Sequence, residues 1–134
     1  MIVSSLREGA RVETEIDGRF RIDVDQPAPY GADSAPSPFD VFLAGIAACT
    51  AYYAQVYCRK WKLPHQGIRV ALTPVFDKAH RLTDVSMHLH VPDNFPAEHR
   101  DGLLRNAGNC LVKKTLESPP AIKLVLAVDA VVAA

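Results

Sequence analysis

The chain has 134 residues, of which 49% are hydrophobic and 22% charged, a composition typical of one globular domain and not of a disordered segment. The 15 Lys and Arg residues balance the 15 Asp and Glu residues, so no net field attracts nucleic acid or an anionic membrane. We therefore expect a single domain, residues 1–134, that binds neither. Three cysteines and an N-terminus without an export-signal pattern predict a cytoplasmic protein without a disulfide framework.

The first 30 residues predict an antiparallel hairpin with a short strand before it. Asp17-Gly18 is a hairpin-turn signal, and the stretches on both sides of it alternate between polar and apolar residues. Prolines and a glycine in 26–36 predict a loop, because they break regular elements. Strands are predicted at 2–3, 11–16 and 19–25.

A long apolar helix follows, and its start is well marked. Ser37 is a suitable N-cap, Pro38 fits the first helical position, and Asp40 can close a capping box. The pattern continues to about Trp61 and ends before Pro64, since the residue before a proline avoids helical geometry. The sequence therefore predicts a helix from Pro38 to about Trp61.

This helix is apolar around most of its circumference, which predicts burial on nearly all sides. Its roughly 24 residues would be about 36 Å long, which exceeds the diameter of about 30 Å of a small domain. We therefore expect a second subunit to help cover it. A membrane span is the competing interpretation, but its uncharged stretch contains several alanines and a glutamine, whereas a span needs about 20 strongly apolar residues.

The second half predicts a hairpin, two helices and a final strand. Gly108-Asn109 separates the two helices, and Asn109 is the expected cap of the second. Since strands and helices are segregated, the fold class is α+β with antiparallel sheet. The predicted elements are strands 67–76 and 82–91, helices 96–107 and 110–116, and a strand at 122–132 that adds to one of the hairpins.

Cys49 lies in the middle of the apolar helix, where it is either a small core residue or a reactive thiol. An apolar surrounding alone would leave the thiol protonated and inert, and the positive helix end is about three turns away. A functional Cys49 therefore needs a cation from another element. The candidates are Arg19, Arg21, Lys113 and Lys114.

The other two cysteines have different settings. Cys58 lies on the opposite face of the helix from Cys49, because nine residues turn a helix by about 900°, so we expect it to be a packing residue. Cys110 begins a fresh helix and is followed by Lys113 and Lys114, a place that favours a thiolate.

His88 and His90 share one face of a predicted strand, a spacing found in some metal sites. No acidic or sulfur partner lies near them on that face, so we expect a solvent-exposed polar edge and no metal. The sequence also contains no phosphate-binding loop and no metallohydrolase or serine-hydrolase motif. We expect no cofactor.

Two segments resemble the osmotically inducible / organic hydroperoxide resistance (OsmC/Ohr) family. SAPSPFDVFLAGIAACT, which ends just after Cys49, is similar to the helix of the family's first cysteine, and GNCLVKKTLESPP is similar to its second motif, around Cys110. The separation of the two cysteines and the order of elements also match. The resemblance implies an OsmC-like α+β fold and an intertwined homodimer, in which two central helices pack together and each site uses residues of both chains.

The resemblance also implies an activity. Cys49 would attack an organic or small hydroperoxide, Cys110 would resolve the sulfenic acid, and an external dithiol would reduce the disulfide. Arg19, in a Gly-Arg pair of the hairpin, would hold the thiolate. The sequence departs from the hydroperoxide branch at two positions, with Phe39 in place of an orienting glutamate and Leu111 in place of a proline. A non-enzymatic redox-sensing or ligand-binding protein is therefore the alternative.

Overall fold

The N-terminal sheet forms around the turn that the sequence predicts. A computed structural model, which describes residues 1–131, contains strands β1 (Ile2–Leu6), β2 (Val12–Ile16) and β3 (Phe20–Val24) in one antiparallel sheet of order β1-β2-β3. Asp17 and Gly18, with φ of 54° and 65°, form the β2–β3 turn. Two positive φ values match the right-handed twist of the flanking strands.

A buried carboxylate organises the loop that follows β3. Asp25 accepts hydrogen bonds from the Gln26 N–H at 2.8 Å, the Ser34 hydroxyl at 2.6 Å and the Ser34 N–H at 3.1 Å. Together with an N–H bond from Ala32, and against the opposing effect of burial, these bonds hold the pKa of Asp25 below its usual value, the Ser34 hydroxyl contributing most. A Cβ at Gly31 would lie 2.5 Å from an Asp25 carboxylate oxygen, so this position requires glycine.

The central helix α1 (Pro38–Lys60) begins as the sequence predicts. The Ser37 hydroxyl accepts from the Asp40 N–H at 3.1 Å, and the Asp40 carboxylate accepts from the Ser37 N–H at 3.0 Å, which completes the capping box. Trp61 is the C-cap, and Lys62, with a φ of 55°, turns the chain out of the helix.

Only one stripe of α1 is buried within the single chain, so burial on nearly all sides would depend on the second subunit that the sequence predicts. Within the single chain, the second hairpin and the helices that follow it pack against α1, and part of the helix surface stays exposed. By length and composition alone α1 could cross a membrane, but the core helix of a soluble protein can have the same length and composition. The buried residues are Leu43, Ile46, Thr50, Ala54 and Cys58.

After α1 the chain forms the second predicted hairpin. Strands β4 (Arg69–Phe76) and β5 (Leu82–His90) pair antiparallel, with an irregularity at Val75/Phe76. Strand β4 packs against α1, and this hairpin shares no strand with the N-terminal sheet.

The two helices after β5 close the core. A 3₁₀ turn (Ala97–His99) leads into α2 (Arg100–Ala107), and Gly108-Asn109 ends it as predicted. Tyr57 of α1 hydrogen-bonds His99 Nδ1 at 2.8 Å, and the Trp61 ring lies 5.4 Å from the His99 ring. The buried core joins α1 to α2 and comprises Ala54, Cys58, Phe95, Leu103 and Ala107.

The last helix, α3 (Leu111–Glu117), differs from the prediction at its cap. Cys110, and not Asn109, is the N-cap, because its sulfur accepts from the Lys113 N–H at 3.5 Å. The predicted strand at 122–132 is also wrong for the single chain, since residues 119–131 form no strand and Val132 lies outside the described range. Ser118-Pro119-Pro120 leads the tail away from both hairpins, and Ile122, Leu124 and Leu126 are 92%, 96% and 93% exposed.

Candidate active site

The fold brings Cys49 and Cys110 together. Cys49 lies halfway along α1 and is partly exposed, whereas Cys110 begins α3 and is 0% exposed. The Cys49 side chain is close enough to Cys110 to lower the pKa of the Cys110 thiol. Two cysteines that are far apart in sequence therefore form one thiol pair with one accessible and one buried sulfur.

Cys110 is the thiol of this pair whose ionised form the protein favours. Burial raises the pKa of Cys110, but hydrogen bonds from the Cys49 thiol, the Lys113 and Val112 N–H groups and the Thr50 hydroxyl outweigh it, so the pKa of Cys110 lies below its ordinary value. The Lys113 ammonium points elsewhere, 3.8 Å from the carboxylate of Glu117. The backbone of α3, more than the lysine charge, therefore stabilises the sulfur.

Thr50 and Met87 also lie near the two cysteines, and neither was predicted from the sequence. The buried Thr50 hydroxyl donates to the Ile46 carbonyl at 3.0 Å and contacts the Met87 sulfur at 3.6 Å. A threonine after a helical cysteine carries no distinctive signal, because Thr on an apolar helix commonly bonds the carbonyl four residues before it. Its contact with α3 appears only in the folded chain.

Cys58 is separate from this site. It is fully buried in the core between α1 and α2, and burial raises the pKa of its thiol. Its place in the core confirms the prediction that it packs on the other face of α1.

Arg19 does not reach the thiol pair within the single chain. It is exposed at the start of β3, and its guanidinium lies 4.8 Å from the Phe20 ring centroid. Among residues 1–131 no ion pair involves Arg19, whereas Arg21 pairs with Asp23 at 3.0 Å and Glu13 at 3.3 Å. Of the two hairpin arginines, Arg19 is the one whose charge is available.

Aromatic rings occupy the place where the resemblance expects a glutamate. The Phe39 ring lies 5.3 Å from that of Phe42 and 5.8 Å from that of Phe76. Neighbouring Asp40 is engaged in the helix cap. No carboxylate of α1 is therefore left to orient an arginine near this end of the helix.

The described residues contain no group of three or more His, Cys, Asp or Glu side chains placed to hold a metal ion. His88 and His90 are exposed neighbours on β5, with ring centroids 6.3 Å apart.

Comparison with known proteins agrees with this architecture. The model of the OsmC-like protein family matches residues 31–125. An OsmC-like protein from Mycoplasma pneumoniae is 18% identical with a TM-score of 0.71, over 89% of this chain and 87% of that chain. No protein of curated function matches the sequence.

Two similar solved structures are described as organic hydroperoxide resistance proteins. The protein from Legionella pneumophila is 21% identical with a TM-score of 0.61, over 87% of each chain. The protein from Elizabethkingia anophelis is 20% identical with a TM-score of 0.59, over 86% of this chain and 87% of that chain. Since the family model spans both cysteine motifs and most of the chain, this protein belongs to the OsmC-like protein family.

Proposed function

We propose that the protein is a thiol peroxidase that reduces organic or small hydroperoxides. The observation that carries the proposal is that the fold places a partly exposed Cys49 near a buried Cys110, close enough to lower the pKa of Cys110. A thiol that becomes oxidised at Cys49 has its resolving partner already beside it. The similar structures described as hydroperoxide resistance proteins support the same kind of substrate.

The reaction has three steps. The Cys49 thiolate attacks the terminal peroxide oxygen, so an S–O bond forms, the O–O bond breaks, and the departing alkoxide takes up a proton as an alcohol. The Cys110 thiolate then attacks the sulfenic sulfur of Cys49, and hydroxide leaves and is protonated to water. An external dithiol supplies two electrons, reduces the Cys49–Cys110 disulfide and becomes a disulfide itself.

The lowered pKa of Cys110 serves the second step of the reaction. When Cys110 later acts as the nucleophile, the N–H groups at the start of α3 stabilise the thiolate it must form. The greater exposure of Cys49 supports its role as the attacking thiol, with Cys110 as the resolving thiol.

A homodimer supplies what the single chain lacks. The exposed side of α1 and the apolar tail at 122–131 both need a covering surface, and an interface of that size and composition is of the obligate type. Arg19, with no ion-pair partner among residues 1–131, then holds the Cys49 thiolate of the second subunit. A chain with three cysteines and no disulfide framework suits a cytoplasmic location. Sedimentation should give a dimer at micromolar concentration, and a monomer would contradict this part.

The test is to mix purified protein with cumene hydroperoxide and count free thiols. The count should fall from three to one per chain, with Cys58 remaining free. Cys110→Ser should still consume the first equivalent of peroxide, whereas Cys49→Ser should consume none. A count that stays at three in the wild-type protein would refute the proposal. Arg19→Ala should slow Cys49 alkylation at neutral pH more than the matched Arg21→Ala, whose side chain is engaged in ion pairs.

A redox sensor is the second candidate, and the aromatic cluster at Phe39 favours it. Without a carboxylate to orient Arg19, the protein would oxidise once and turn over slowly. The two candidates differ when a dithiol is present. An enzyme consumes many equivalents of peroxide per chain, and a sensor consumes about one and stays oxidised.

A further inference from the structure

We propose that Trp61, Tyr57 and His99 form a one-electron relay that quenches alkoxyl radicals, the species that a hydroperoxide yields when it takes up a single electron. Trp61 meets the radical, Tyr57 supplies the electron that is finally lost, and His99 takes the phenol proton. This activity lies beyond the proposed thiol chemistry, which moves two electrons, and it requires neither Cys49 nor Cys110. The three rings lie where the end of α1 meets the 3₁₀ turn before α2.

The three rings lie against one another. The ring centroids of Tyr57 and Trp61 are 6.2 Å apart, and the centroid of His99 lies 5.8 Å from that of Tyr57 and 5.4 Å from that of Trp61. Separations of this size are those of aromatic rings in contact. An electron can therefore pass between Tyr57 and Trp61 without an intermediate carrier.

Trp61 is the ring of the relay that a dissolved oxidant reaches first. It is 51% exposed, whereas Tyr57 and His99 are half-buried. All three line an open cavity of about 640 Å³ between α1 and α2. A cavity of this volume admits a small organic molecule. The exposed indole is therefore the entry point of the relay, and the phenol behind it is the electron donor.

Tyr57 has a proton acceptor in place, which an oxidised tyrosine needs because its radical cation is too acidic to keep the phenol proton. The Tyr57 hydroxyl oxygen and His99 Nδ1 are 2.8 Å apart. In the tautomer that carries its proton on Nε2, His99 accepts this hydrogen bond at Nδ1. Loss of an electron from Tyr57 moves the proton along the bond and leaves a neutral radical. The carboxylates of Glu98 and Asp101 line the same cavity and favour the positive imidazolium that forms.

Helix α2 leaves room for the phenol oxygen. A Cβ at Gly102 would collide with the Tyr57 hydroxyl, so a larger residue would push the hydroxyl away from its place beside His99. Glycine is unfavourable inside a helix because it loses more conformational freedom on folding than other residues do. The close approach of Tyr57 accounts for its presence in α2.

The charge beside Trp61 sets the direction of electron transfer. The Lys60 Nζ lies 5.7 Å from the centroid of the indole ring, and among residues 1–131 no ion pair involves Lys60. An oxidised indole is a cation, which the lysine charge disfavours. Oxidation of Tyr57 with loss of its proton leaves no charge on the ring. Trp61 therefore recovers its electron from Tyr57, and the radical comes to rest on the phenol.

The alkoxyl radical ends as an alcohol. It takes one electron from Trp61 and one proton from water, while Tyr57 returns an electron to Trp61 and passes its proton to His99, which releases a proton to water. The net reaction moves one hydrogen atom from Tyr57 to the alkoxyl radical. A dissolved reductant of the ene-diol class then gives a hydrogen atom to Tyr57 and is itself oxidised by one electron.

The test uses cumene hydroperoxide and ferrous iron, which together produce the cumyloxyl radical. This radical either takes up a hydrogen atom and becomes cumyl alcohol or fragments to acetophenone. The parent protein carries Cys49→Ser and Cys110→Ser and is present in molar excess, so the thiols of the proposed function take no part and either proposal can fail without the other. The parent should raise the ratio of cumyl alcohol to acetophenone.

Tyr57→Phe in this parent should lose most of the increase, since it keeps the ring and removes the phenol. The matched control is Tyr52→Phe, which removes a phenol that packs against Tyr53 and not against a histidine, and it should keep the increase. His99→Ala should also lose the increase, and added imidazole should restore it by accepting the phenol proton. Imidazole should have no effect on Tyr57→Phe.

Electron paramagnetic resonance gives a second measurement that needs no substitution in the relay. The parent protein, frozen after oxidation, should show a tyrosyl radical with a hydrogen bond from an exchangeable proton, as the contact between Tyr57 and His99 requires. A tryptophan radical alone, or a tyrosyl radical without that hydrogen bond, would overturn the inference. Equal product ratios for Tyr57→Phe and Tyr52→Phe, or a His99→Ala variant that imidazole does not restore, would overturn it as well.

Discussion

Leu103 should be the residue that fastens α2, and with it Cys110, to the central helix. Its side chain is 1% exposed and packs in the core that contains Ala54, Cys58 and Phe95. Removal of a fully buried leucine side chain leaves a cavity, and Leu103→Ala should therefore lower the free energy of unfolding by about 3 to 4 kcal/mol. In a chain of this size that corresponds to about 10 to 15 °C in melting temperature.

The adjacent residue provides a matched control. Leu104 lies on the same helix and is 63% exposed. Leu104→Ala should change the free energy of unfolding by no more than about 0.5 kcal/mol, since alanine is a better helix former and little burial is lost. Urea and thermal denaturation, followed by circular dichroism, measure both variants. A cost below about 1 kcal/mol for Leu103→Ala, or equal costs for the two, would refute the packing argument.

Three further predictions concern stability around the site. Cys58→Ala should lower stability by about 1 kcal/mol, by loss of buried contacts, and leave peroxide consumption unchanged; an activity loss as large as that of Cys49→Ser would place Cys58 in the reaction. Gly31→Ala should cost about 1 to 3 kcal/mol in thermal unfolding, because its Cβ meets the Asp25 carboxylate and the Gln26 carbonyl, and an unchanged melting temperature would show that the loop yields freely. Folding lowers the pKa of Asp25, so its contribution to the free energy of unfolding is present above the ordinary carboxyl pKa of about 3.9 and is lost as pH falls through the lower folded value. Asp25→Asn should remove that part of the acid dependence of stability. Identical acid-unfolding curves for the wild-type protein and the variant would contradict this prediction.

Local signals in the sequence predicted the elements well. The Ser37–Asp40 capping box and the Asp17-Gly18 turn join residues that are no more than three positions apart in the sequence, so the sequence alone locates them. The apolar pattern of α1 was harder to interpret. It indicates which parts of the helix surface become buried, but not whether the same chain or a second chain buries them. The single chain buries one stripe, and the remaining apolar residues of α1 are half-buried or exposed.

The site was predictable in part. Motif similarity selected Cys49 and Cys110, but it could not reveal that Cys110 caps α3 or that Thr50 lies beside it, since both depend on how α3 docks on α1. The prediction of a strand in the tail was wrong for a related reason. A strand needs an edge to pair with, and alternation of apolar residues does not specify where that edge is.

The sole tryptophan of the chain lies where α1 meets the 3₁₀ turn before α2. Its indole packs against His99, which in turn is hydrogen-bonded to Tyr57. Indole emission depends on its immediate neighbours, and separation of α2 from α1 would remove the imidazole from the already half-exposed ring. Trp61 fluorescence is therefore a label-free optical reporter of the docking of α2. It would distinguish local opening next to Cys110 from global unfolding in the same sample.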